Sequence, residues 1–336
     1  MCIRDSPRDE LYPRRRLSAI TPTGSNTRAL GSVAPDPPSH RRSRRVFEYQ
    51  KYGRYFAQCP HTIEELLAGE LTDLGATEVK PAYRGVYFVA DAETLYRSNY
   101  GSRLATHILA PLITFQCHSD KYLYRTARKL DWESVLGLDQ TFVIAANASD
   151  SNVHHSEFAA QRLKDAIADH FTEKRGRRPS VDRRDADVHF SLNIHRNRAI
   201  ISVDCSGGSL HRRGYRVAAR EAPLQETLAA AVLRHSGWRG ETPLVDPMCG
   251  SGTILAEALM LASGTPPSYL RMRERPPVAC LPDFDSALWE RIKTAAAAAM
   301  RELPDGFISG SDVDPQAVGV ARGNLGRLPG GRRVPV

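Results

Sequence analysis

Two apolar periods alternate along this chain, one of two residues and one near 3.6, and they mark out successive folded stretches. Phe56 to Pro60 reads as a strand. His61 to Leu74 reads as an amphipathic helix with Ile63, Leu66, Leu67, Leu71 and Leu74 on one side and Gly75 at its end. Strands at Val79 to Ala82 and Val86 to Val89 flank a turn at Arg84-Gly85, and a helix follows from Ala92 to about Tyr100. Strand, helix, strand, strand, helix is the order of a compact α+β unit of the ferredoxin-like sort.

A second α+β unit is predicted next, with a strand from Ile113 to Cys117, a helix from Asp120 to Lys129 and a strand from Thr141 to Ala146. In the helix from Ser156 to Glu173, Phe158, Leu163, Ile167 and Phe171 share a face. Val188 to Ile194 and Ala199 to Asp204 then alternate as a hairpin around Arg196-Asn197. The third unit begins near Pro223, where Leu224, Leu228, Val232 and His235 fall on one face of a helix that stops at Gly237. This helix is expected to close one side of a ligand cleft.

The cleft is predicted from Leu244 to Thr253, which joins an apolar strand, an acid, a glycine-rich turn and a new helix. Gly250 and Gly252 permit backbone conformations and close approaches that a Cβ would block, and Ile254 to Ala262 is a strong helix former. A ligand can therefore sit against the helix start. Gly-Ser-Gly-Thr lacks the third glycine of the dinucleotide fingerprint, so NAD is the weaker reading. Further along, Phe307 to Asp314 is a short apolar strand ending in acids, before Pro315 and the helix-like Gln316 to Arg322. Asp314 is expected to be that helix's N-cap, with Pro315 in the first turn.

Composition changes the picture mainly at the ends. The 336 residues allow two or three cores, and no stretch is apolar enough to span a membrane. The six cysteines form no Cys-x-x-Cys pair, and the His154-His155 doublet has no acid or thiol at ligand spacing, so no metal site is expected and a reducing cytoplasm fits. Of the net charge of +8, residues 1–50 carry +5, from ten arginines, no lysine and five acids. This Arg-, Pro- and Ser-rich leader has no amphipathic period and no apolar core of a secretory signal. It is read as disordered or as a translated non-native frame. Elsewhere basic residues gather around Lys164, Lys174 to Arg184 and Arg212 to Arg216; such clusters are solvated surface as often as nucleic-acid contacts.

The string Asp246-Pro247-Met248-Cys249-Gly250-Ser251-Gly252-Thr253 resembles motif I of the class I methyltransferases, in which the acid and the loop backbone hold the methionine end of S-adenosylmethionine. The resemblance implies cofactor contacts at Asp246, Met248, Cys249, Gly250, Ser251, Gly252 and Thr253. It also requires a second acid for the two ribose hydroxyls, and Asp312 is the candidate. Gly214-Tyr215-Arg216, Ala222 to Ala230 and Ser236-Gly237-Trp238 lead into this motif. Together with Ser102 to Ala105, Lys164 to Ile167, Arg178 to Arg183 and Leu210 to Gly214, they look like the RlmL-type 23S rRNA guanine-N2 methyltransferases.

That resemblance implies a fold combining α/β and α+β parts: a ferredoxin-like unit at 53–100, a THUMP domain at 101–206 and a partial Rossmann-like class I methyltransferase domain at 207–325. Residues 1–52 and 326–336 are then a leader and a non-native tail. In the family, THUMP binds structured RNA, here 23S rRNA, which makes Arg103, Lys164, Arg178, Arg183, Arg212, Arg213 and Arg216 candidate RNA contacts. No metal, membrane or protein partner is called for. Related N-methyltransferases place an Asn-Pro-Pro-Tyr motif on the target amine and base. This chain ends before such a motif, so the catalytic residues are unassigned and the expectation is a truncated, inactive family member. A tRNA guanine-N2 methyltransferase and a non-catalytic THUMP RNA-binding module are the alternatives.

Overall fold

The computed structural model describes residues 46–218, 223–272 and 276–336. Most of the expected leader lies outside the described residues, but its end does not. Helix α1 (Glu48–Tyr52) is folded, and Phe47 and Tyr49 are buried in the core. The leader therefore stops short of residue 52, because two aromatic side chains are anchored just before β1 (Arg54–Gln58).

The first unit continues with α2 (Glu64–Asp73), β2 (Thr77–Ala82), β3 (Gly85–Val89) and α3 (Ala92–Gly101). The second comprises β4 (His107–Gln116), α4 (Asp120–Ala127), β5 (Thr141–Ser149), α5 (Ser156–Arg175), β6 (Ser180–Val181), β7 (Val188–His195) and β8 (Arg198–Asp204). The two units are not separate sheets. All eight strands form one sheet in the order β2-β3-β1-β4-β8-β7-β5-β6. β4 joins them: His107 to Leu109 pair with β1, while Leu109 to Pro111 and Ile113 to Gln116 pair with β8. Its first half was missed in the sequence because Pro111, which lacks an N–H, breaks the apolar run, and the register shifts there. On β7, Val188, Phe190, Leu192 and Ile194 are buried alternately, as the period of two demands.

The third unit holds α6 (Glu226–His235), β9 (Leu244–Asp246), α7 (Thr253–Ala262), α8 (Ser286–Ala298), β10 (Ile308–Gly310) and α9 (Pro315–Leu325). β9 and β10 run parallel, Gly310 beside Asp246. Two expectations change here. The predicted apolar face of α6 points outward, with Val232 51% exposed, while Ala229, Ala230 and Leu233 are buried. α6 packs on α7, and alanines let the two helices approach closely. The expected tail at 326–336 is also packed: Leu328 is buried, Val334 and Val336 lie against the same core, and Gly310 donates its amide to the Pro335 carbonyl. Single apolar residues separated by glycine turns leave no period to read.

Helix α8 belongs to the crossover between β9 and β10 but packs on α3 of the first unit. Trp289 sits edge-on to Tyr96 and Tyr100, with ring centroids 5.9 and 5.5 Å apart. A second tie is ionic. Arg213 and Glu257, both with fully buried side chains, pair at 3.2 Å. Arg213 also donates to the carbonyls of Leu210 and Arg103, so one guanidinium joins the inter-unit connection to α7.

Candidate cofactor site

The two parallel strands bring two acids to the same end. Leu244 to Asp246 pairs with Ile308 to Gly310, so the chain leaves both strands side by side, toward the glycine turn on one and Asp312 on the other. The turn is fastened to the second strand's exit: Ser311 donates to the Asp246 carbonyl at 2.9 Å, and Cys249 donates back to the Ser311 carbonyl at 2.9 Å. The Gly250 amide then donates to Asp312 Oδ2 at 2.9 Å, and the Met248 amide to Asp246 Oδ1 at 3.2 Å. Asp246, the loop Met248 to Thr253 and Asp312 are thus brought into one constellation.

Their environments differ. Met248 is 84% exposed, whereas Cys249, Ser251 and Thr253 are buried. Burial pushes the Asp246 carboxyl up, and the neighbouring Asp312 charge adds to this against the pull of the Met248 amide. Burial likewise raises the Cys249 thiol, which suits a packing role better than a nucleophile. Asp314 accepts from the Gln316 amide at 2.9 Å and caps α9, with Pro315 opening that helix.

The loop fits an adenosyl cofactor on two counts. Above Gly250, φ +55, a Cβ would meet nothing within 4 Å, so the turn faces open space. The Asp312 carboxylate accepts the amides of Gly250 and Asp314, and a carboxylate offers about four lone-pair sites in all, the acceptor chemistry that ribose hydroxyls need. Gly252 serves packing. Its φ is +78, and a Cβ would lie 3.0 Å from the Ala321 Cβ and 3.3 Å from its Cα on α9. Gly252→Ala is expected to destabilise the fold by about 1–3 kcal/mol, and thermal unfolding that leaves the midpoint unchanged would refute this account of the turn. A cavity of about 540 Å³ lies elsewhere, lined by Leu259 near the far end of α7 and Ser263 just past it, together with Met300, Leu328 and Val334, and it shares no residue with the constellation.

The candidate RNA contacts divide. Arg178, Arg183 and Arg212 are exposed, and the Lys164 side chain is 42% exposed. Arg213 is buried in its ion pair and cannot reach RNA. Arg103 turns inward and donates to the carbonyls of Met260 and Thr265. Arg216 lies against the glycine loop, bonded to Ser251 and Thr253. An arginine that stitches units together and one that meets solvent carry the same letter, so charge clustering along the sequence did not separate them. No group of three or more His, Cys, Asp or Glu side chains able to hold a metal ion occurs among the described residues.

Three known domain families match consecutive parts of the chain. The RlmL ferredoxin-like domain matches residues 54–109, the THUMP domain residues 117–204, and the RMKL-like methyltransferase domain residues 213–334. A putative RNA methyltransferase from Synechocystis sp. is 40% identical over 273 residues, 80% of this chain and 70% of that protein. Among solved structures, a putative methyltransferase called SMU.472, complexed with SAH, superposes with a TM-score of 0.71 at 28% identity, covering 84% of this chain and 74% of that one. A protein from Listeria monocytogenes, described as a predicted N6-adenine-specific DNA methylase, gives 0.72 at 25% identity, over 84% and 73%. With three consecutive domain matches and a 40% identical relative over most of its length, the chain belongs to the RlmL-type, THUMP-bearing methyltransferases.

Proposed function

We propose that this protein serves the SAM-dependent methylation of a guanine N2 in 23S rRNA, in the cytoplasm. The cofactor of the family is S-adenosylmethionine, which supplies an electrophilic methyl group when bound. The observation that carries the reading is the pair of acids at the ends of adjacent parallel strands, with the glycine loop between them, in one chain with a THUMP domain. Asp246 and the loop from Met248 to Thr253 hold the cofactor's amino-acid end, and Asp312 accepts from the ribose. Lys164, Arg178, Arg183 and Arg212 contact RNA phosphates.

The guanine amine is a poor nucleophile because its lone pair is delocalised into the ring, so positioning of the base dominates the chemistry. The 336 residues contain no Asn-Pro-Pro-Tyr sequence to do this. The polypeptide tested by itself is therefore expected to bind RNA but to transfer no methyl group from labelled SAM to unmodified 23S rRNA. Appreciable transfer would overturn the assignment of base positioning to that motif. RNA binding should weaken with salt, with a log–log slope of about 0.7–0.9 per phosphate contact. Reversing the charge at Lys164, Arg178, Arg183 and Arg212 should flatten that slope, and an unchanged slope would remove those residues from the interface. Comparing 23S rRNA fragments with tRNA in the same assay separates the two substrate classes.

A further inference from the structure

We propose that Arg216 builds the subsite for the carboxylate at the amino-acid end of the cofactor, by holding the hydroxyls of Ser251 and Thr253 at the start of α7. The inference rests on the glycine loop being the cofactor site.

Arg216 reaches the loop from the segment that follows the inter-unit connection. Its Nη1 donates to Ser251 Oγ at 3.1 Å and its Nη2 to Thr253 Oγ1 at 3.1 Å. Behind it, Glu226 Oε1 accepts at 3.0 Å and the Leu224 carbonyl at 3.2 Å. The Arg216 side chain is only 20% exposed and that of Glu226 6%, so this pair faces the loop rather than a polyanion in solvent. Asn324 fixes the same geometry from α9. Its side-chain oxygen accepts from the Val217 amide, and its nitrogen donates to the Ser251 carbonyl.

The consequence follows from donor counting. A hydroxyl has one proton and two lone pairs, and a guanidinium can only donate. With Arg216 occupying a lone pair on each oxygen, the protons of Ser251 and Thr253 must point elsewhere. The two oxygens are 3.4 Å apart, so one proton can be shared between them. At least one finds no acceptor among the described residues and is left for an external one. α7 begins at Thr253, and the amides of a first helical turn have no preceding turn to bond, which adds donors and a favourable dipole at the same spot. The anion that the cofactor offers is its amino-acid carboxylate. Glu226 cancels the formal charge of Arg216, so Arg216 acts through the hydroxyls it orients and is a positioning residue.

The test uses two ligands that share adenosine and a thioether. S-adenosylhomocysteine carries the amino acid, and 5′-methylthioadenosine does not. Calorimetric titration of the 336-residue chain should show that Arg216→Met weakens S-adenosylhomocysteine binding about tenfold or more while changing methylthioadenosine binding less than about twofold. Arg216→Lys keeps a charge beside Glu226 but cannot span both hydroxyls, so it should show the same selective loss and decides the matter if the methionine variant unfolds. Equal weakening of both ligands in a folded variant would overturn the carboxylate subsite and leave the cofactor site standing. If the unaltered chain binds neither ligand, the cofactor-site reading falls, and this inference with it.

Discussion

Replacing Arg213 with methionine is expected to destabilise the protein by about 3–5 kcal/mol, the usual consequence of stranding one partner of a buried ion pair. Glu257 would be left fully buried opposite an apolar side chain. Burial already pushes its carboxyl up, with Arg213 and Arg103 pulling the other way. The carbonyls of Leu210 and Arg103 would lose a donor as well. Urea unfolding of the single variant and of Arg213→Met combined with Glu257→Leu separates these contributions. The double variant should recover part of the loss, because the stranded charge is gone while the two carbonyls remain unserved. A single variant within about 1 kcal/mol of the unaltered chain would show that the pair does not fasten the units.

Asp312→Ala carries the largest expected effect on ligand binding. The carboxylate accepts from the Gly250 and Asp314 amides, and the proposed ribose contact adds two charge-assisted hydrogen bonds. At about 1.5 kcal/mol each, their loss should weaken S-adenosylhomocysteine binding about a hundredfold. Asp312→Asn, which keeps one acceptor oxygen, should fall between. Unchanged affinity in the alanine variant, measured by the same titration, would remove Asp312 from the site.

Local chemistry was the legible part of this chain. The strand-acid-glycine-helix string announced the Asp246 loop, and Asp314-Pro315 announced the start of α9, because a turn or a cap needs particular residues within a few positions. What could not be read was partnership across distance. Nothing near Pro111 says that one strand serves two units, and nothing around Trp289 says that a crossover helix lands on α3. Arg213 and Arg216 shared a basic run with Arg212, yet one is locked in a core, one is bonded to a loop and one meets solvent. The α6 face failed for a related reason. Leu224, Leu228 and Val232 are apolar at helical spacing, but α7 selected the alanine side, where two helices come closest.

The docking of α8 onto α3 bears on how such a protein changes over generations. Modular proteins are reshuffled when a gene segment encodes a unit that travels whole. A recombination junction near residue 207 would carry α8 away from Tyr96 and Tyr100 and bring Trp289, now 1% exposed, into water. It would also part Arg213, with its partner Glu257, from the Arg103 carbonyl to which the guanidinium donates. Exchange of either half by itself would therefore require new side chains around Trp289 and Arg213, so the two halves are coupled through their packing.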